Sequence, residues 1–330
     1  MTKVETVRGA IDSSALGRVL VHEHIFLMNV EYTLNYRPDF FEDATIAKAA
    51  ARLNALKAAG YDTIIDLTVL GLGRHIPNLA RVAAQTDLNI IVSTGAYTFD
   101  KVPEPFAYYG PGLLHDAPEP MIEHFIRDIT VGIAGTSIKA GELKCAIDMQ
   151  GLTPGVERIM RAVAQTNRAT GTPITVHTAP QAQTGLIVQE VLSSEGVNLE
   201  DVIVGHCGDS ADIDYLMKLA DKGSLLGMDR FGIHFAITTE QRIATLVEML
   251  KRGYEDQLTL SHDCCCWSDF FPNVEAYNKA MPDHHYLHIH NDVIPALREA
   301  GVTQAQLDKM FVANPRRHFE NAAKHFAARR

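Results

Sequence analysis

Apolar, β-branched runs alternate with helix-spaced runs along most of the chain. Arg18-Val19-Leu20-Val21-His22-Glu23-His24-Ile25-Phe26 reads as a short first strand. From Glu42 to Ala59 apolar positions recur at helical spacing among good helix formers, and Gly60 closes the segment as a C-cap. Asp62 to Val69 is β-branched and reads as a strand. The helix-then-strand unit then repeats: Leu79 to Thr86 before Asn89 to Tyr97, Ile122 to Ile133 before Leu143 to Ile147, and Gly155 to Ala169 before Pro173 to Thr178. It continues with Leu186 to Ser194 before Val202 to His206, Ile213 to Lys222 before Leu225 to Asp229, and Thr239 to Arg252 before Leu258 to Asp263. Turn chemistry around Gly9 and Asp12-Ser13 predicts a short N-terminal hairpin between Val4 and Ser13.

Strands alternating with helices imply right-handed crossovers and a parallel sheet, and eight such strands predict a closed (β/α)₈ TIM barrel. No Gly/Ser linker divides the 330 residues, so residues 1–330 are expected to form one domain. The competing doubly wound sheet would carry a Gly-rich phosphate turn after its first strand, and GxGxxG is absent.

Composition narrows the partners. With 46% apolar and 21% charged residues a sizeable core is expected, while the net charge of −10 and the lack of a Lys/Arg run argue against nucleic acid and anionic membranes. No apolar run approaches the roughly 18 residues of a membrane span, and Met1 to Gly9 lacks the apolar core of a secretion signal. The five cysteines, Cys145, Cys207 and Cys264-Cys265-Cys266, suit neither a disulfide framework nor a zinc ribbon, so a reduced cytoplasmic location is expected.

In such barrels the chemistry sits at the C-terminal strand ends. The first strand offers His22 and His24, which project to one face because successive strand side chains alternate, with Val21 and Glu23 facing the other way. Later strands offer Tyr97, Lys144, His177, His206, Asp229-Arg230 and Asp263. Each has an ordinary reading alone: His177 and His206 as core histidines, Lys144 as a snorkelling lysine, Asp263 as a helix cap. Together at one mouth they are hard to explain as filling, because unpaired polar groups are costly to bury.

The set resembles the metal-dependent amidohydrolase superfamily and, within it, the phosphotriesterase family. The matching pieces are Thr6-Val7-Arg8-Gly9, Val21-His22-Glu23-His24, Ala140-Gly141-Glu142-Leu143-Lys144, Thr175-Val176-His177-Thr178, Gly205-His206, Ser261-His262-Asp263 and Asn314-Pro315-Arg316-Arg317-His318-Phe319. The resemblance implies two divalent cations, zinc or else cobalt, manganese or iron. His22, His24 and Asp263 would hold the more buried one, His177 and His206 the more exposed one, and Lys144 would bridge both as its carbamate (N6-carboxylysine). It also implies attack by a metal-bridging hydroxide, with Asp263 accepting the proton.

Within the family the chain is similar to the lactonase-like branch, through Tyr97 and through Gly227-Met228-Asp229-Arg230-Phe231-Gly232. That likeness implies lactone opening, on N-acyl-homoserine lactones or related acyl lactones, with promiscuous organophosphate triesterase activity and a homodimer. Tyr97 would orient the substrate and Arg230 would shape the pocket wall; the rival reading is a buried aromatic and a structural ion pair. The long segment from Cys264 to Tyr286 reads as a functional loop in which Trp267, Phe270 and Phe271 line either an acyl channel or a dimer contact. His284 to His290 is expected to be solvated or capping. The alternatives are an amide or phosphodiester hydrolase on the same metals, and a binding protein that has lost turnover.

Overall fold

The computed structural model describes residues 2–37, 42–271 and 273–330. The chain opens with the predicted hairpin, β1 (Lys3–Thr6) antiparallel to β2 (Gly9–Asp12). Then come β3 (Val19–Glu23) and the short β4 (Phe26–Leu27). They are followed by β5 (Thr63–Asp66), β6 (Asn89–Gly95), β7 (Glu142–Ala146) and β8 (Ile174–His177). Last are β9 (Val202–Val204), β10 (Leu225–Met228), β11 (Leu258–Leu260) and β12 (Trp267–Ser268). Strands β3 and β5 to β11 form one eight-stranded parallel sheet in sequence order, with helices between them: the predicted (β/α)₈ barrel.

The barrel closes where β3 meets β11. Asp263 N–H donates to the His22 carbonyl at 3.0 Å, His24 N–H to the Cys264 carbonyl at 2.8 Å, and Cys266 N–H to the Ile25 carbonyl at 3.0 Å. Beyond these, β12 pairs in parallel with β4, Trp267 opposite Phe26. The segment after β11 is therefore partly sheet, and it continues as a helix, Val274–Ala280, capped by Asn273. Residue 272 of that predicted loop lies outside the described residues.

Alternation along the strands sorts the core. Val19, Val21, Ile65, Ile91, Ile203 and Leu225 face inward and pack with Val4, Leu16 and Phe319, which seal the floor. Leu20, Ile64, Ile90, Val176, Val204 and Leu226 face the helices instead. One position departs from the expected pattern. The β3–β5 register shifts between Leu20 and Glu23, so Val21 joins the inner cluster although His22 also turns inward; a bulge absorbs the extra residue.

Helix starts follow caps rather than the first apolar residue. The segment expected from Leu79 begins at Ile76, where the His75 ring accepts the Asn78 N–H and Pro77 sits in the first turn. The segment expected from Ile122 begins at Pro120, with the Glu119 carboxylate accepting the Met121 N–H. A helix over Val30–Tyr36, capped by Asn29, was not anticipated by the spacing. No helix among the described residues is long and apolar enough to cross a membrane.

Candidate metal centre

The strand ends bring His22, His24, Lys144, His177, His206 and Asp263 to one mouth of the barrel. All are buried except Asp263, whose side chain keeps 14% of its surface exposed. His22 comes from β3, Lys144 from β7 and His177 from β8, while His24, His206 and Asp263 lie just past β3, β9 and β11.

Each imidazole is held by one ring nitrogen and turns the other to the common centre. His22 Nδ1 donates to Asp229 Oδ2 at 2.7 Å and His206 Nδ1 to Asp229 Oδ1 at 3.0 Å; an ionised carboxylate only accepts, so both protons sit on Nδ1. His177 Nε2 likewise donates to Asp148 Oδ2 at 2.6 Å, and His24 Nδ1 meets Thr68 Oγ1 at 2.8 Å. Such partners set tautomer and ring angle in histidine metal sites.

The freed nitrogens converge. His24 Nε2 lies 3.2 Å and His22 Nε2 3.5 Å from Asp263 Oδ1. Donor atoms of His22, His24 and Asp263 all lie within 4.8 Å of one another, a set one cation can join. His206 Nε2 and His177 Nδ1 face each other at 2.8 Å. Both carry lone pairs in these tautomers, and two lone pairs at that separation need a proton or a cation between them. Nitrogen and carboxylate donors of this kind fit a divalent transition metal.

The electrostatics point the same way. Burial lowers the Lys144 ammonium to about 8, and its Nζ stands 3.2 Å from His22 Nε2. Burial lowers His177 to about 4 despite the opposing pull of Asp148, and pushes His206 well below its ordinary value. The His177 and His206 rings are thus neutral near pH 7, the form that binds metal. Burial alone would raise the Asp263 carboxyl, but His22 and Arg230 outweigh it and hold it well below the usual range.

Arg230 Nε donates to Asp263 Oδ2 at 2.9 Å, and its other arm reaches Asp209 Oδ2 at 3.0 Å. Asp209 is anchored in turn by the fully buried Arg242. The Tyr97 hydroxyl stands 3.4 Å from His177 Nδ1, and burial followed by the charge of Asp263 raises it, so it stays protonated. Trp267 is set apart. It lines a cavity of about 720 Å³ between the helix Glu42–Ala58 and the segment after β11, together with Cys264, Cys265, Phe271 and Met281, and none of the six ligand candidates lines that space.

Sequence reasoning named Asp229 as a strand-end group without a role, and it did not single out Asp148, Thr68, Asp209 or Arg242. The available signal was position: Asp148, like Asp229, follows closely on a barrel strand. The expectation for the later histidines holds only in part. His285 and His290 are exposed, but His284 Nε2 donates to the Asp263 carbonyl at 3.1 Å, and His288 is buried against Asp292.

Comparison with known proteins agrees with this geometry. The profile of the Phosphotriesterase family matches residues 2–319. The solved phosphotriesterase of Mycobacterium tuberculosis superposes with a TM-score of 0.95 at 53% identity, covering 96% of this chain and 98% of that one. An aryldialkylphosphatase of Saccharolobus solfataricus is 34% identical over 313 residues, covering 94% of this chain and 98% of the relative. A structure solved in engineering organophosphate hydrolysis from a weak promiscuous lactonase template matches with a TM-score of 0.89 at 33% identity, covering 97% of this chain and all of that one. With a barrel, a histidine cluster and full-length relatives in agreement, the chain belongs to the phosphotriesterase family, whose members are metal-dependent hydrolases acting on esters.

Proposed function

We propose that the protein is a binuclear-metal lactonase acting on acyl-tailed lactones such as N-acyl-homoserine lactones, with promiscuous organophosphate triesterase activity. The observation that carries the reading is the histidine cluster: four buried rings, each held on one nitrogen, with the free nitrogens gathered around Lys144 and Asp263. His22, His24 and Asp263 would hold one cation, His177 and His206 the other. Divalent cations held there supply Lewis acidity and activate water for attack on an ester carbonyl or phosphorus centre.

The chain's own residues do the rest. Lys144, lowered to about 8, is largely available as a neutral amine in mildly alkaline solution; its nitrogen could add to CO₂ with loss of a proton, and the carbamate's two oxygens would then be further ligand atoms for divalent cations held there. Asp263 accepts the proton released as water attacks. Arg230 fixes the Asp263 carboxylate and keeps a positive charge at the mouth, where 17% of its side chain is exposed. The Tyr97 hydroxyl, still protonated, donates a hydrogen bond to the substrate and orients the lactone. On this reading the apolar tail would lie in the cavity lined by Trp267 and by Cys264, the residue next in sequence to Asp263.

The lactone preference is supported by Arg230 and Tyr97 and by the likeness to the lactonase template. The reading includes a homodimer and a cytoplasmic location, the latter supported by five free cysteines. The test is a hydrolysis panel of lactones with increasing tail length beside an aryl phosphotriester, on protein loaded with defined metals. Lactone turnover exceeding phosphotriester turnover supports the reading; the reverse by a wide margin sinks the lactonase assignment.

A further inference from the structure

Glu23 lies between two ligand candidates in sequence, yet it points out of the site. Its side chain leaves β3 opposite to His22 and His24 and ends, fully buried, in the seam beside β11. It does face away, as the alternation predicts, but into protein rather than solvent. Oε1 accepts from Ser261 Oγ at 2.7 Å, from the His262 N–H at 2.9 Å and from His262 Nδ1 at 2.8 Å. Oε2 accepts from the Cys264 N–H at 2.9 Å.

The His262 ring is neutral in this arrangement. Its Nε2 accepts the Ile289 N–H at 3.1 Å and so carries a lone pair, which leaves the proton on Nδ1 for Glu23. No lysine or arginine pairs with Glu23 among the described residues, so its charge is carried by neutral donors alone. A carboxylate buried this way is costly unless every lone pair is used.

All these donors flank one residue. Ser261, His262 and Cys264 surround Asp263, which adopts φ +55°, a left-handed conformation uncommon outside glycine. Asp263 also gives its N–H to the His22 carbonyl and takes His284 Nε2 on its own carbonyl, so the turn is held at several points. Ser261 Oγ additionally accepts the His22 N–H at 3.0 Å, which ties the same network to the first histidine.

We propose that Glu23 is a positioning residue of the metal centre: its carboxylate holds residues 261–264 in the turn that aims Asp263 at His22 and His24. The proposal rests on the reading of Asp263 as a ligand. Glu23→Gln tests it, because the amide keeps the shape but loses one acceptor oxygen and turns a donor toward the Cys264 N–H.

The parent and the variant are stripped with chelator and titrated with cobalt(II), well below each melting temperature, with metal per chain and the visible spectrum as readouts. The parent should bind two cobalt ions. Glu23→Gln should bind one of them about tenfold more weakly or worse, with an altered spectrum. Leu53→Ala, which removes a buried side chain from the helix layer, should lower the melting temperature while keeping both ions and the parent spectrum. Ser261→Ala should show the Glu23 effect in reduced form, and it decides the matter if Glu23→Gln does not fold. Parent-like affinity and spectrum in the folded Glu23 or Ser261 variant overturn the proposal alone. A parent that binds no cobalt overturns the metal reading, and this proposal with it.

Discussion

The two halves of the histidine cluster are built differently. On the seam side, His22, His24 and Asp263 are bonded to one another's strands through the backbone, and Glu23, Thr68 and Tyr286 fasten the same residues from behind. On the far side, His177 stands at the end of β8 with its orienting partner, Asp148, 25% exposed, and with Tyr97 and Arg230 beside it at the mouth. Asp229 serves both halves, one oxygen on His22 and the other on His206. On the proposed reading, the seam half would serve chiefly to hold a cation and the far half, with Tyr97 and Arg230, to meet substrate.

The largest break should come where the halves share a partner. Asp229→Ala frees two buried rings at once, and outer partners of metal-binding histidines are worth about 10- to 100-fold each, so hydrolysis should fall about a thousandfold, with fewer cations retained in metal analysis. Unchanged metal content would mean the two halves are not coupled through Asp229.

Asp148→Asn disturbs the far half alone. Turnover should drop about 10- to 100-fold, and in titrations with metal only the weaker of two binding phases should move. If both phases shift together, the division into halves is wrong.

Acid should act on the metal-free protein through the same rings. His177 titrates at about 4 in the folded chain against 6.5 as a free histidine, and His22 and His206 shift the same way because of burial. The unfolded chain therefore binds more protons between these values, so the stability from the neutral rings is whole above pH 6.5 and is lost as pH falls through 4. Melting temperatures of the chelated protein across that window check it; a flat profile would speak against neutral buried rings.

Smaller effects are expected at the mouth. Tyr97→Phe should raise the lactone KM several-fold while leaving metal content unchanged. Trp267→Ala should change only long-tailed lactones, since that ring lies in the cavity apart from the ligand candidates; an equal loss on a tail-less ester would remove the cavity from the account.

The same contrast explains what the sequence discloses. The six ligand candidates are legible because each sits at a strand end, where the alternation of strand and helix already places chemistry. Their partners are not: Asp229 meets His22 and His206 only once β3, β9 and β10 share one closed barrel, and Thr68 and Asp148 follow strands in loops with no periodic signal. Val21 was misplaced because a bulge is invisible in spacing. The burial of Glu23 and the pairing of Trp267 with β4 both belong to the seam, a contact between the first and last strands that no local window contains.

The most direct test is a crystal structure of the zinc-loaded protein with anomalous data at the zinc edge. The account predicts two peaks, one beside His22 Nε2, His24 Nε2 and Asp263, the other between His177 Nδ1 and His206 Nε2, with density extending from Lys144 Nζ toward both. A single peak, no peak, or a lysine ending at its amine with both zinc ions bound would contradict it.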